Sequence, residues 1–158
     1  MSIEPENRPD AYRPEQGAPG AFSPRPPAGT VAWAMGFLAF IPIPFLGSII
    51  TGIVMMLVGN GQKDKGEIAR LNGRNAANWG LTYLLLTVVL IGGSVLVGVI
   101  SSGGGGPTPD WAPPIALTLI GIWAFPVQIA HLIVTIMGTI RASRSVVFSA
   151  PVAVPFLR

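Results

Sequence analysis

Charged residues divide this chain into long apolar runs. None lies between Arg25 and Lys63, between Arg74 and Asp110, or between Asp110 and Arg141. A helix needs ~20 apolar residues to cross a hydrocarbon core of ~30 Å, and each gap is long enough. The pattern therefore predicts membrane segments joined by short polar connections.

The first run, Val31 to Val58, would be about 42 Å long as one straight helix, too long for the core without a steep tilt. It contains Ile41-Pro42-Ile43-Pro44. Pro42 and Pro44 each remove an amide donor and push the preceding residue out of helical geometry. The run is therefore predicted as two short helices, 30–41 and 45–58, forming a helical hairpin or a re-entrant V. Gly47, Thr51 and Gly52, with Ser48 beside them, give the second helix a small-residue face suited to close packing. Backbone groups freed at the break must be buried in protein or meet water.

Residues 59–78 form a charged connection in which Lys63, Lys65, Arg70 and Arg74 outnumber Asp64 and Glu67. The positive-inside rule makes this loop cytoplasmic. Residues 67–78 read as a short interfacial helix with Ile68 and Leu71 inward. The next span is 79–100, opened by Trp79 and Tyr83 as an interfacial aromatic belt. Residues 101–114, SSGGGGPTPDWAPP, form a turn without Lys or Arg and so fit the outer side, with Trp111 as anchor. The last span, 115–140, is interrupted by Pro126, which leaves the Ile122 carbonyl without its helical donor. Around it, Gly121, Ala124, Gln128, His131, Thr135 and Gly138 recur every three or four residues, a small and polar stripe expected to face other helices. Arg141 and Arg144 close the span on the basic side.

These elements predict an all-α integral membrane protein, a four-helix bundle with a proline-broken first pair. Residues 1–29 hold seven prolines and charges of both signs, a composition of a disordered cytoplasmic tail. Glu4 and Glu6 stand where a signal peptide would carry basic residues. Its Pro24–Pro27 segment reads as a spacer, with a proline-motif ligand as the sharper alternative. Residues 30–144 form the membrane domain. Residues 145–158, apolar but broken by Pro151 and Pro155, are expected to lie against the membrane surface or the bundle.

Composition agrees with this division. Half of the residues are hydrophobic, 11 % are charged and mean hydropathy is +0.58, against about 25 % charged in soluble domains. The net charge of +3 comes from few groups, without the basic block or aromatic interleaving of a nucleic-acid footprint. Cysteine is absent, which excludes disulfides, thiolate chemistry and cysteine metal sites.

Candidate chemistry is sparse. His131 is the only histidine and the only titratable side chain in a predicted span apart from Tyr83. An intramembrane ionisable residue is a functional candidate, yet a proton path needs further groups, and the spans contain no Asp, Glu, Lys or Arg. An interhelical hydrogen bond to Asn75, Asn78 or Thr82 is the favoured role. Asn75, Asn78 and Thr82 share one helical face and read as a packing seam, or as a docking or gating surface. Unpaired carbonyls at the Pro42/Pro44 and Pro126 breaks would resemble transporter midplane sites; simple kinks are the plainer reading. Gly103–Gly106 lacks the Gly-Lys-Ser/Thr of a phosphate loop, and no Gly-x-Ser-x-Gly nucleophile elbow occurs.

The Ile-Pro break, the segment Arg74-Asn75-Ala76-Ala77-Asn78-Trp79, and the closing Gly138-Thr139-Ile140-Arg141-Ala142 followed by prolines and Phe156-Leu157-Arg158 resemble the bacterial Tic20-like (DUF4870) family over residues 28–158. The resemblance implies a four-helix membrane domain similar to the channel-associated component of chloroplast inner-envelope protein import. It implies no activity for bacterial members.

The expected function is a non-enzymatic accessory subunit of a larger membrane assembly, in protein translocation or envelope machinery. The alternative is a small oligomeric channel or transporter lined by Gln128, His131 and Thr135. Contact residues are expected at Gly52, Asn75, Asn78, Trp79, Gly93, Gln128, His131 and Thr135. No cofactor, metal or nucleic acid is expected. The expected partners are a larger membrane complex, the lipid bilayer and further copies of the chain, in the bacterial plasma membrane with both termini cytoplasmic.

Overall fold

A proline within the first apolar run, Pro42, sets where the first helix ends. The computed structural model describes residues 26–43, 45–103 and 106–157. Pro44 and the tail residues 1–25 lie outside the described residues, so the expectations placed on them have no counterpart here. Helix α1 spans Thr30–Phe40. It starts as an α-helix, Thr30–Ala34, and tightens to a 3-10 helix, Met35–Phe40. Ile41, which precedes Pro42, leaves the helix with φ −63° and ψ 131°, the extended geometry a following proline favours. Phe45 then adopts a positive φ of 61° and leads into α2, Leu46–Asn60.

Helix α3 runs from Glu67 to Ser102, 36 residues, about 54 Å. The separate interfacial helix expected over 67–78 is the first part of this same helix. No proline or paired glycine interrupts the junction, so its hydrogen-bond ladder continues. Its inward face also differs from expectation: Ile68 is exposed, while Ala69, Asn72, Gly73 and Ala76 are buried. Helix α4 covers Ala112–Ser143. Pro113 and Pro114 fall in its first turn, where amide donors have no helical partner, so it starts three residues before the expected Ile115. At Pro126 the helix widens into one π turn, Trp123–Val127, a usual way to absorb a disrupted ladder. The described residues are thus all-helical, with four helices and no strand.

Glycines fix how α2 and α3 meet. Gly52 and Gly59 are seven residues apart, as are Gly73 and Gly80. The helices run antiparallel, so Gly52 faces Gly80 and Gly59 faces Gly73. A Cβ on Gly52 would stand 2.7 Å from the Leu84 Cβ and 2.9 Å from the Gly80 carbonyl. A Cβ on Gly59 or Gly73 would collide with the other's carbonyl oxygen. Matching heptad spacing on both helices keeps one seam in contact over two turns.

The α1–α2 hairpin therefore begins and ends beside the start of α3. Gly29 (φ 77°) packs on the Asn72 Cβ, and Gly59 packs on Gly73. The core gathers at this end, around Trp33, Met55, Ala76, Trp79, Val134, Ala142 and Phe148. Toward its end α3 packs along α4, with Gly93 facing Leu119. There Val95, Leu96, Val99, Ile100 and Leu117 are exposed. Only 11 % and 17 % of the most apolar windows of α3 and α4 are buried. A core helix of a soluble protein would be mostly buried, and exposed patches of this size suit hydrocarbon.

Gly59→Val and Gly80→Val should each destabilise the fold by about 1–3 kcal/mol, the usual cost of overpacking, or prevent recovery of monodisperse protein in detergent. Gly92→Val, with open space around the new side chain, should stay within about 0.5 kcal/mol of the parent. Thermal unfolding in detergent measures both.

Candidate functional site

Two groups of polar residues gather between the helices. The first lies where the hairpin tip meets α3 and α4. The Tyr83 hydroxyl donates to Oε1 of Gln128 at 2.8 Å. Its single proton is then committed, so the Ser48 hydroxyl, 2.7 Å away, donates to it. Ser48, Tyr83 and Gln128 thus form one chain across three helices. Deeper along α3, Thr87 Oγ1 donates to the Tyr83 carbonyl and accepts from Trp123 Nε1 at 3.1 Å.

His131 sits beside this chain, fully buried. Its ring stacks on Tyr83 with centroids 3.8 Å apart, and on Trp79 at 6.0 Å. Nε2 lies 2.9 Å from the Gly36 carbonyl oxygen. A carbonyl only accepts, so Nε2 carries the proton. Nδ1 is buried and has no hydrogen-bond partner among the described residues, as is true of the Trp33 and Trp79 indole N–H groups. Thr135, also buried, packs against Gly36, where any Cβ would strike its side chain. The expected partners of His131 were Asn75, Asn78 or Thr82. Those side chains are engaged elsewhere, and the 3-10 segment brings the Gly36 carbonyl instead.

The second lies on the opening face of α3, where Asn72, Asn75, Asn78 and Thr82 hold residues 146–157. Asn72 Nδ2 donates to the carbonyls of Ala28 and Val146, and its Oδ1 accepts from the Phe148 amide at 2.9 Å. Asn75 Nδ2 donates to the Phe148 carbonyl. Asn78 binds both backbone groups of Leu157, accepting at 2.7 Å and donating at 3.1 Å. Thr82 Oγ1 accepts from the Val154 amide. A strand partner would pair the same irregular backbone through a ladder; here a row of amides does so. Phe148 then packs on Trp33, and Arg141 lies over its ring. Trp79 and Tyr83, expected as an interfacial belt, are both buried in protein.

The remaining candidates separate. Gly52 is in the α2–α3 seam, whereas a Cβ on Gly93 would meet only Leu119 Cδ1, at 3.4 Å. Pro42 is in the hairpin tip and Pro126 in the π turn. Asn72, Ser48, Gly36, Gly59, Gly73 and Gly80 carry contacts as close as any named from the sequence. Asn72 was within reach, three residues before Asn75 on the same face, and so were the paired heptad glycines. Gly36 stood outside the glycines read from the sequence; its carbonyl meets His131 and its lack of a Cβ admits Thr135.

As chemistry, the buried cluster offers neutral hydrogen bonds and stacked rings. Among the described residues, no group of three or more His, Asp or Glu could hold a metal ion.

The described fold and its exposed apolar helices define the class: an all-helical, multi-span membrane protein. Within it, the chain belongs to the magnetosome magnetite crystal formation protein family, MamF/MmsF, whose family model matches residues 28–157. No curated protein and no solved structure shows a match to the chain.

This membership overturns the Tic20-like resemblance and the accessory-subunit function drawn from it. The segments that carried the resemblance have architectural roles here: Asn75 and Asn78 hold the closing residues, and Arg141 covers Phe148. Such needs recur in small membrane bundles whatever their process. The channel alternative falls as well. His131 and Thr135 are fully buried against Gly36, and Gln128 is bonded to Tyr83, so the stripe is an internal seam in this chain.

Tyr83→Phe leaves Ser48 and Gln128 without their shared partner and should cost about 1 kcal/mol, measured by unfolding in mixed detergent micelles. Asn72→Ala removes three bonds to backbone. It should raise amide exchange at Phe148 by at least tenfold, since ~1.4 kcal/mol of lost local stability suffices. Asn60→Ala, an exposed control, should leave that exchange unchanged.

Proposed function

We propose that this chain is a component of the magnetosome membrane that takes part in magnetite crystal formation by shaping the membrane around the crystal, without catalysis. The observation that carries the reading is the family match over residues 28–157, a span that includes every described helix. The finer part draws support from the uneven cross-section of the molecule. Helix α1 is about 20 Å long and α2 about 22 Å, short of a ~30 Å core. Both ends of their hairpin lie beside the start of α3, and its tip reaches Trp123, with Phe45 and Trp123 ring centroids 5.1 Å apart.

One half of the molecule therefore holds four helical segments and the closing segment. The other half holds two helices. Lys63, Lys65, Arg70, Arg74, Arg141 and Arg144 all belong to the wide end, and Asp110 to the narrow one. In this reading the wide end and both termini are cytoplasmic. That leaflet is the convex one of a compartment closed inside the cell, where a wide inclusion relieves curvature stress.

Removing the chain from a magnetosome-forming bacterium should alter crystal size or shape, measured by electron microscopy. The full chain should restore it, and Gly59→Val should restore it less. Unchanged crystals would overturn the role in crystal formation. Labelled protein in giant vesicles should concentrate on pulled tubes over the flat membrane; an even distribution would remove the shaping mechanism alone.

A further inference from the structure

The wide end contains a feature that neither the packing nor the crystal role uses. A cavity of about 480 Å³ opens between the end of α2, the connection to α3 and the closing residues of the chain. Three cations, Lys63, Arg70 and Arg74, line it with a single carboxylate, Asp64. Arg70 and Arg74 are four residues apart on α3 and so share a face. The only ion pair among the described residues near it is Arg70 to Glu67, at 3.8 Å and largely exposed, and pairs of that kind hold little energy. The lining therefore carries a net positive charge.

We propose that this cavity is a binding site for a phosphate group, carried by the headgroup of an anionic glycerophospholipid. Guanidinium groups match phosphate oxygens as paired donors, and basic pockets at helix ends commonly receive lipid headgroups. Two observations favour a lipid over free phosphate. The cavity also has an apolar wall, Phe156 and Leu157, fixed in place by the two Asn78 bonds to the Leu157 backbone. Its floor residue Asn60 ends a stripe on α2 with Leu57 and Ile53, three and seven residues earlier, both exposed. That stripe leads from the cavity along the apolar surface and gives an acyl chain its track. The role of Asn78 is thus to complete a headgroup site as well as to pair backbone. The site stands whether or not the chain shapes membranes.

The test uses the full chain in a neutral detergent, titrated with phosphatidylglycerol, with phosphatidylcholine or with inorganic phosphate, and read by native mass spectrometry. One saturable phosphatidylglycerol adduct is expected, with phosphatidylcholine clearly weaker. Lys63→Gln and Arg74→Gln should each weaken it roughly fivefold, the equivalent of about 1 kcal/mol per cation, while Lys65→Gln, outside the cavity, should not. Arg74 is half-buried, so its variant counts only if its melting temperature matches the parent; exposed Lys63 carries the test otherwise. Phosphate competing for the adduct would support a phosphate site, and phosphate bound where phosphatidylglycerol is not would make the free anion the source. Equal binding of both lipids with no phosphate binding, or full binding by Lys63→Gln and Arg74→Gln, would overturn the proposal.

Discussion

Close approach of α2 to α3 through Gly52–Gly80 and Gly59–Gly73 is the constraint from which the rest follows. Among lipid tails, helices gain little from hiding apolar surface from one another, so contact area and hydrogen bonds must hold them. Four glycines at matching heptad positions let the backbones meet. The seam sets the depth of the hairpin. Depth in turn carries Ser48 to Tyr83 and the Gly36 carbonyl to His131, and leaves Lys63 beside Arg70 and Arg74.

Much of the architecture is written in charge and proline placement. Gaps without charge mark the apolar helices, and Pro42 marks the end of α1. The limits of the helices are less legible. Trp79 resembles the start of a span because charge stops near it, yet α3 is already twelve residues old there; its early polar face is satisfied by residues some seventy positions later in the chain. Periodicity on one helix cannot reveal such a partner. The same limit hides the bond of His131, whose acceptor is backbone and has no side-chain signature. Trp79 and Tyr83 look like belt residues because aromatic side chains serve interfaces and cores equally well.

The family was not legible either. Arg74 to Trp79 and Gly138 to Ala142 are distinctive as strings, but in the fold they hold a closing segment and cover a ring. Strings that satisfy backbone in a small bundle report on architecture before they report on process. The match over residues 28–157 supplies the process. Specific packing and positive charge collect at the end where the hairpin meets the start of α3, and the proposed lipid site lies there too.

In the proposed arrangement the α1–α2 hairpin enters the membrane and returns without crossing it, because each of its helices is shorter than a ~30 Å core. The chain contains no cysteine, so a single Ile43→Cys variant can carry one spin label at the hairpin tip. In reconstituted bilayers, the label should be relaxed strongly by lipid-soluble oxygen and weakly by a water-soluble nickel chelate added to either side. Strong relaxation by the chelate from the side that bears Asp110 would overturn this arrangement, since the first helix would then cross the bilayer.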